Sequence, residues 1–152
     1  MIIKFSEIPL EGRKYSGEEK SSILELEEND DLRINGPVRY DLDAQTALNE
    51  LIVRGKVSIA MTFRCSRCGE SFSTDIKDPS FMCVKESGAD QSVDLTEEIR
   101  EAIILAFPTY PICRPDCRGL CVQCGVSLNK EKCGCSGKKN NAFSVLDNLK
   151  LK

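Results

Sequence analysis

The cysteine pattern is the feature that most constrains this chain. The stretch CRGLCVQCGVSLNKEKCGC, residues 117–135, places five cysteines in nineteen residues of a 152-residue chain that has nine cysteines and no histidine. An odd number of cysteines cannot pair completely in disulfides. The first residues, MIIKFS, also lack the basic and apolar regions of a signal peptide. We therefore expect a cytoplasmic, reducing environment and metal-binding cysteines rather than a disulfide scaffold.

Two cysteine pairs have the spacing of zinc knuckles. Cys65 and Cys68, and likewise Cys121 and Cys124, are separated by two residues and followed by a glycine. Two thiolates in such a turn can bind one ion while backbone N–H groups point at the sulfurs. The glycine suits the positive φ that ends the turn. We expect Zn²⁺, as one or two structural ions, each with four tetrahedral ligands.

The spacing leaves two ligand arrangements open. In the first, eight cysteines form two sites: Cys121, Cys124, Cys133 and Cys135 form a local site, and Cys65, Cys68, Cys113 and Cys117 form one that ties the sheet to the tail. In the other, a single ion takes its ligands from residues 113–135. Cys83 is interpreted as a small buried side chain. Residues 113–135 should be disordered without metal, because this segment has almost no apolar content.

The residue types argue against catalysis. A catalytic zinc keeps an open position beside groups for proton transfer, but the chain lacks histidine and has neither an H-E-x-x-H motif nor the zinc-deaminase signature. The ferredoxin spacings of iron–sulfur proteins are absent as well. The first C-x-x-C follows an antiparallel-type strand instead of opening a helix, which disfavours a thioredoxin-like site. We expect no enzymatic activity and no small-molecule substrate.

Hydrophobic alternation predicts an antiparallel sheet. Apolar and polar residues alternate, with turn residues between the runs, over residues 24–27, 32–35, 38–43 and 57–63. The segment Leu48–Val53 is expected to turn at Gly55 and to pair with 57–63, or alternatively to form a short helix. Further strands are expected over residues 72–76 and 81–84.

One helix follows the predicted strands. Asp94 and Glu97 resemble a capping box, and Pro108 stops the helix. Its apolar face would consist of Leu95, Ile99, Ala102, Ile103 and Ala106. The sequence thus predicts an α+β fold: an antiparallel β-sheet or partly open barrel with one packed helix at about 95–107 and a C-terminal cysteine-rich zinc-binding module.

The composition changes along the chain and suggests three parts. We expect a sheet domain over residues 1–110, a zinc-binding module over 111–137 and a basic tail over 138–152, where Phe143, Leu146 and Leu149 predict a short helix. No run approaches the roughly 18 apolar residues that span a membrane, so no membrane contact is expected.

Charge is distributed unevenly. Residues 1–110 carry 13 basic and 21 acidic side chains, a net charge of −8, whereas residues 111–152 carry 8 and 3, a net charge of +5. Basic side chains near the cysteines could contact RNA phosphates: Arg64, Arg67, Arg114, Arg118, Lys130, Lys132, Lys138 and Lys139. Solvation of an exposed surface explains the same residues. No signature of aromatic base stacking is present, so base-specific recognition is not expected.

The order of these motifs resembles a known family. A C-x-x-C after a strand, then LTEEIREAIILAFPTYPICRPDC and GLCVQCGVSLNKEKCGC, is similar over about residues 40–150 to the YceD family, the large ribosomal RNA subunit accumulation proteins of bacteria and plastids. The resemblance implies a cytoplasmic role in the accumulation or processing of 23S ribosomal RNA, without catalysis.

Two functions follow as hypotheses. The first is a ribosome-biogenesis factor that contacts 23S rRNA or its precursor and supports large-subunit assembly. The alternative is a protein-interaction adaptor, whose acidic sheet domain binds a basic ribosomal protein or an RNA-processing enzyme while the zinc module acts as a scaffold.

Overall fold

An antiparallel sheet with one packed helix dominates the computed structural model, which describes residues 1–9, 11–48, 50–86 and 92–135. The strands in chain order are β1 (Ile2–Lys4), β2 (Arg13–Glu19), β3 (Leu32–Ile34), β4 (Val38–Ala47), β5 (Glu50–Arg64), β6 (Ser71–Glu86) and β7 (Ser92–Asp94). The helix α1 spans Thr96–Leu105, and Phe5–Glu7 and Ser21–Leu24 form 3₁₀ turns. These elements confirm the predicted α+β class.

Strand β5 is the centre of the five-stranded sheet. Along one side it pairs with β6 from Glu50 to Arg64, and its other side is shared by β4 and, near Met61, by the short β3. Strand β2 extends the sheet beyond β4, while β1 and β7 form a separate two-stranded sheet. The strands form an open sheet and do not close into a barrel. Of the two predicted architectures, the structure therefore has the antiparallel sheet.

The hydrophobic core lies against one face of β5, formed by its odd-numbered residues. The fully or nearly buried positions of this strand are Leu51, Val53, Val57, Ile59, Met61 and Phe63. Helix α1 packs against this region and buries Ile99 and Ile103. Because side chains alternate between faces with a period of two, Cys65 is the next inward position of the same row. The hydrophobic pattern of β5 therefore directs Cys65 beneath the end of the sheet.

A β-bulge replaces the turn predicted at Gly55. The two runs expected to form a hairpin are one continuous strand, and the pairing of β5 with β6 shifts register between Gly55 and Val57. On the opposing strand the bulge contains Pro79, which lacks the N–H that a regular ladder needs. Gly55 is required here because a Cβ atom would lie 2.2 Å from the carbonyl oxygen of Asp41. The prediction of a turn was wrong because a bulge glycine and a turn glycine look alike in sequence.

Three further elements differ in detail from their predictions. The strands expected over residues 72–76 and 81–84 are one continuous strand, β6. Residues 24–27 do not form a strand: Leu24 ends a 3₁₀ turn with its side chain fully buried, and Glu25 has a left-handed φ of 50°. Helix α1 begins at Thr96, where Asp94 Oδ1 accepts hydrogen bonds from the backbone N–H (3.0 Å) and the hydroxyl (2.6 Å) of that threonine instead of capping Glu97. The helix predicted around Phe143 lies outside the described residues.

Replacing Gly55 with alanine should destabilise the sheet, because the added Cβ collides with the backbone of β4. We expect a loss of at least about 1 kcal/mol in the free energy of unfolding, measured by urea denaturation. The matched control is Gly36→Ala, since a Cβ at Gly36 meets no atom within 4 Å. Equal stability of the two variants would contradict the close approach of β4 to Gly55.

Candidate metal centre

The first cysteine cluster joins the sheet to the segment after α1. Its four thiols, from Cys65, Cys68, Cys113 and Cys117, have sulfur atoms within 4.8 Å of one another. The Sγ atoms of Cys65 and Cys117, and those of Cys68 and Cys113, are 3.9 Å apart. A zinc tetrahedron with Zn–S bonds of about 2.3 Å has sulfurs about 3.8 Å apart, so these residues fit a zinc ion. Phe72 and Ile112 pack around the cluster.

The second cluster is local and more exposed. Cys121, Cys124, Cys133 and Cys135 also bring their sulfur atoms within 4.8 Å of one another. Cys133 Sγ lies 3.2 Å from Cys121 Sγ and 3.6 Å from Cys124 Sγ, far beyond a disulfide bond of about 2.0 Å. All nine cysteines lie in the described residues, and none of them forms a disulfide bond there. Two groups of four thiols could therefore each hold a metal ion, in the two-site arrangement of the sequence analysis.

Both C-x-x-C pairs have the same turn structure. The N–H of Cys65 donates to the carbonyl of Glu70 (2.8 Å), and the N–H of Gly69 donates back to the carbonyl of Cys65 (2.9 Å). In the second cluster, the N–H of Cys121 donates to Val126 and that of Gly125 to Cys121, both at 2.8 Å. The glycines have φ of 72° and 74°. These are the positive φ values that the glycines were predicted to supply.

Backbone N–H groups favour ionisation of Cys65 in the first cluster and of Cys121 in the second. Burial opposes ionisation of Cys65, but N–H groups from Cys113, Cys68 and Arg67 outweigh it and lower the pKa of this thiol to about 6. The N–H groups of Cys124 and Gln123 lower the pKa of Cys121 to about 6 as well.

Other thiols of the same clusters hold their protons. Burial and the neighbouring sulfurs of Cys117 and Cys65 raise the pKa of Cys113 to about 12. The sulfurs of Cys133 and Cys124 raise the pKa of Cys135 to about 12. A metal ion must displace these protons, so its affinity should fall as the pH is lowered.

Cys83 stands apart from both clusters. It lies in β6, half-buried against the core of the sheet, and burial raises the pKa of its thiol. This environment fits the interpretation of Cys83 as a small apolar side chain.

Three residues, Arg67, Gly119 and Asn129, make contacts that connect the first cluster and its knuckle region (residues 65–69) with the segment from Cys117 to Cys135, which contains the second knuckle. Nη1 of Arg67 donates to the carbonyl of Cys117 at 3.1 Å. Gly119 has a φ of 73°, and a Cβ added to it would lie 3.0 Å from the Arg67 carbonyl oxygen. Nδ2 of Asn129 donates to Cys117 Sγ at 3.3 Å and is the leading cause of the lowered pKa of that thiol. Sequence reasoning assigned no role to Asn129; its only signal was its place in the family-like motif.

The predicted RNA-contacting side chains differ in their surroundings. Arg64 pairs with Asp31 (3.3 Å), Arg114 with Asp116 (3.5 Å) and Lys130 with Glu70 (2.7 Å). Arg118 and Lys132 are exposed and form no ion pair with another residue in the described ranges. Lys138 and Lys139 lie outside those ranges. Arg67 also forms no ion pair with a described residue, but its Nη1 donates to the carbonyls of Pro115 (3.3 Å) and Cys117 (3.1 Å). Arg118 and Lys132 thus have neither an ion pair nor a side-chain hydrogen bond among the residues that the structure describes.

A comparison with protein families identifies the group to which this chain is related. The family model described as "Large ribosomal RNA subunit accumulation protein YceD" matches residues 53–150. The chain belongs to the YceD family. The matched region begins within β5 and includes all eight cysteines of the two clusters. The family resemblance inferred from the motifs is therefore confirmed.

Similar proteins occur in plants and mycobacteria. A chloroplastic YCED homolog 1 of Arabidopsis thaliana, named a large ribosomal RNA subunit accumulation protein, is 26% identical over 75% of this chain and 49% of its own length. An uncharacterized protein of Mycobacterium tuberculosis is 39% identical over 52% of this chain and 36% of the relative. The chain thus spans about half or less of the length of these relatives. No solved structure matches significantly.

Helix α1 is too short to cross a lipid bilayer, and the described part of the chain contains no other helix that could do so.

Removal of metal by a strong chelator should unfold residues 113–135 and leave the sheet largely intact. The reason is that roughly 10 kcal/mol or more of metal-binding free energy can become folding free energy in a segment with little apolar content. Limited proteolysis with mass spectrometry should locate the new cleavage sites in this segment. Undiminished protease resistance after verified metal removal would contradict a structural role for the metal.

Replacing Gly119 with alanine should loosen the contact between the two knuckle regions, because the Cβ would press on the Arg67 carbonyl and the positive φ disfavours alanine. We expect zinc transfer to a colorimetric chelator to become several-fold faster. Gly134→Ala is the control within the same module, since a Cβ there meets no atom within 4 Å. Equal zinc-release rates for the two variants would exclude this docking role.

Proposed function

We propose that this chain is a non-enzymatic ribosome-biogenesis factor that acts in the cytoplasm and supports accumulation of 23S rRNA and assembly of the large subunit. Membership of the YceD family carries the proposal, because the family is named for large ribosomal RNA accumulation. The name of the Arabidopsis relative points to the same process.

We assign Zn²⁺ a structural role in this function, with the eight clustered cysteines as ligands. Support comes from the donor sets: each cluster supplies four cysteine sulfurs, which would fill a tetrahedral coordination sphere and leave no open position for a substrate. Zinc would cross-link residues 65–68 to residues 113–117, and residues 121–124 to residues 133–135. The protein's own residues orient the thiolates and present the surface around them.

We further propose that the exposed basic side chains beside the clusters contact RNA phosphates. Arg118 follows Cys117 directly, and Lys132 precedes Cys133, so metal binding would fix the backbone on which both cations stand. Phosphate contacts of this kind position a protein on RNA without reading its sequence. This proposal includes no base-specific contact.

In-cell ultraviolet crosslinking followed by sequencing of the recovered RNA tests the proposed function. Crosslinks enriched on 23S rRNA or its precursor, relative to an uncrosslinked control, are the expected result. Binding to a basic ribosomal protein without RNA enrichment would instead favour the adaptor function of the acidic sheet domain.

The double variant Arg118→Ala/Lys132→Ala should weaken binding to 23S rRNA fragments. The loss of two phosphate contacts should reduce the slope of log affinity against log salt by about two, as measured by filter binding. The control is Lys14→Ala/Arg54→Ala: these exposed cations also form no ion pair with a described residue. Arg54 lies ten positions before Arg64 on β5, roughly 33 Å from the knuckle. Equal salt slopes for the two double variants would rule out the proposed surface.

A further inference from the structure

One side chain, Asn129, connects the two cysteine clusters. It lies in the loop between Cys124 and Cys133, within the segment that the second cluster closes. Its Nδ2 donates to the sulfur of Cys117 in the first cluster at 3.3 Å, and its Oδ1 accepts the N–H of Arg118 at 2.9 Å. The same amide group therefore contacts a candidate ligand of the first cluster and fixes the backbone beside that ligand.

The backbone of this loop is held against the first cluster. Leu128 N–H donates to the carbonyl of Gly119 at 2.9 Å, and Leu120 and Ser127 form an antiparallel bridge. Lys130 N–H donates to the carbonyl of Ser127 at 3.1 Å, which closes a turn around Asn129. The position of the amide thus depends on the fold of the whole loop.

The far end of the loop depends on the second cluster. Cys133 follows Asn129 by four residues. Its contact with Cys121 is between the two sulfur atoms, which are 3.2 Å apart. None of the four cysteines of this cluster is buried, and its core contains no buried apolar side chain among the described residues. A metal ion would therefore supply most of the free energy that closes the loop.

We propose that Asn129 is a positioning residue that couples the two metal sites, so that metal in the second cluster slows metal loss from the first. The inference rests on the structural metal role proposed above. When the second cluster loses its ion, the loop is released and the amide leaves Cys117. Groups that hydrogen-bond to metal ligands orient them, and their loss typically lowers metal affinity by about 10- to 100-fold.

The test measures metal retention at each cluster separately. The zinc-loaded full chain is mixed with a chelator and an alkylating reagent, and mass spectrometry follows alkylation of every cysteine. Cys65, Cys68, Cys113 and Cys117 report on the first cluster, whereas Cys83 reports on the integrity of the sheet.

Removal of the amide should accelerate metal loss from the first cluster. For Asn129→Ala we expect alkylation of the first cluster to be about tenfold faster or more, with Cys83 unchanged. Asn129→Asp keeps the acceptor for Arg118 N–H but removes the donor to Cys117, and it should have the same effect. Ser127→Ala is the matched control, because its buried hydroxyl has no hydrogen-bond partner among the described residues.

A double-mutant cycle tests the coupling itself. Cys133→Ser/Cys135→Ser disables the second cluster and should accelerate metal loss from the first to a similar degree as Asn129→Ala. The combined variant should lose metal no faster than the more affected of the two, because both changes break the same connection. Effects that multiply would overturn the proposal, as would a normal first cluster in both Asn129 variants. If zinc fails to protect the first cluster in the unchanged protein, the metal role itself fails.

Discussion

The antiparallel pairing of β5 with β6 is the contact on which the candidate metal centre depends. It runs over the full 15 residues of β5, and the connection between the two strands is the knuckle with Cys65 and Cys68. The alternation that buries Met61 and Phe63 also buries Cys65, while the turn buries Cys68. The strand and the turn thereby bring two of the four thiols together. The first cluster is half built by the sheet.

The other two cysteines of the first cluster, Cys113 and Cys117, come from a segment with few buried apolar side chains. Cys113 follows α1 and lies beside the knuckle because a backbone hydrogen bond holds this segment there. The N–H of Ser66 donates to the carbonyl of Pro111 at 2.8 Å. Beyond Cys117, the segment contacts the first cluster through Gly119, which lies against Arg67, and through the hydrogen bonds of Asn129. This division explains why metal removal should affect the two parts of the chain differently: apolar burial stabilises the sheet, whereas sulfur–metal bonds would stabilise the module.

Basic side chains surround the two cysteine clusters. Four thiolates and one Zn²⁺ carry a net charge of about −2, and basic side chains near both clusters offset it. Some of these cations are already paired, as Lys130 is with Glu70. Arg118 and Lys132, in contrast, form no ion pair with a described residue and lie beside cysteines of the two clusters. A contact with RNA through these two cations would thus depend on the metal only indirectly, through the backbone that the metal holds in place.

The elements predicted well from sequence are those with a strong local signal. The alternation in β5 and the apolar face of α1 each reflect burial on one side, which imposes a period on the sequence. Strand β2, with the sequence RKYSGEE, escaped prediction because it is polar and has no fully buried residue. Residues 24–27 were mistaken for a strand because Leu24 and Leu26 alternate with Glu25 and Glu27, although Leu24 ends a 3₁₀ turn.

By itself, the sequence determined the chemistry: sets of cysteines with knuckle spacing, no histidine for acid–base catalysis, and a motif order that identifies the family. Spacing alone could not decide which cysteines share a site, because Cys65 and Cys117 are 52 residues apart and are brought together only by the sheet and the segment after α1. Tertiary structure likewise decided that Gly55 lies in a bulge and that Asn129 contacts Cys117. Both facts depend on close approach between segments distant in the chain, which leaves no periodic signal in the sequence.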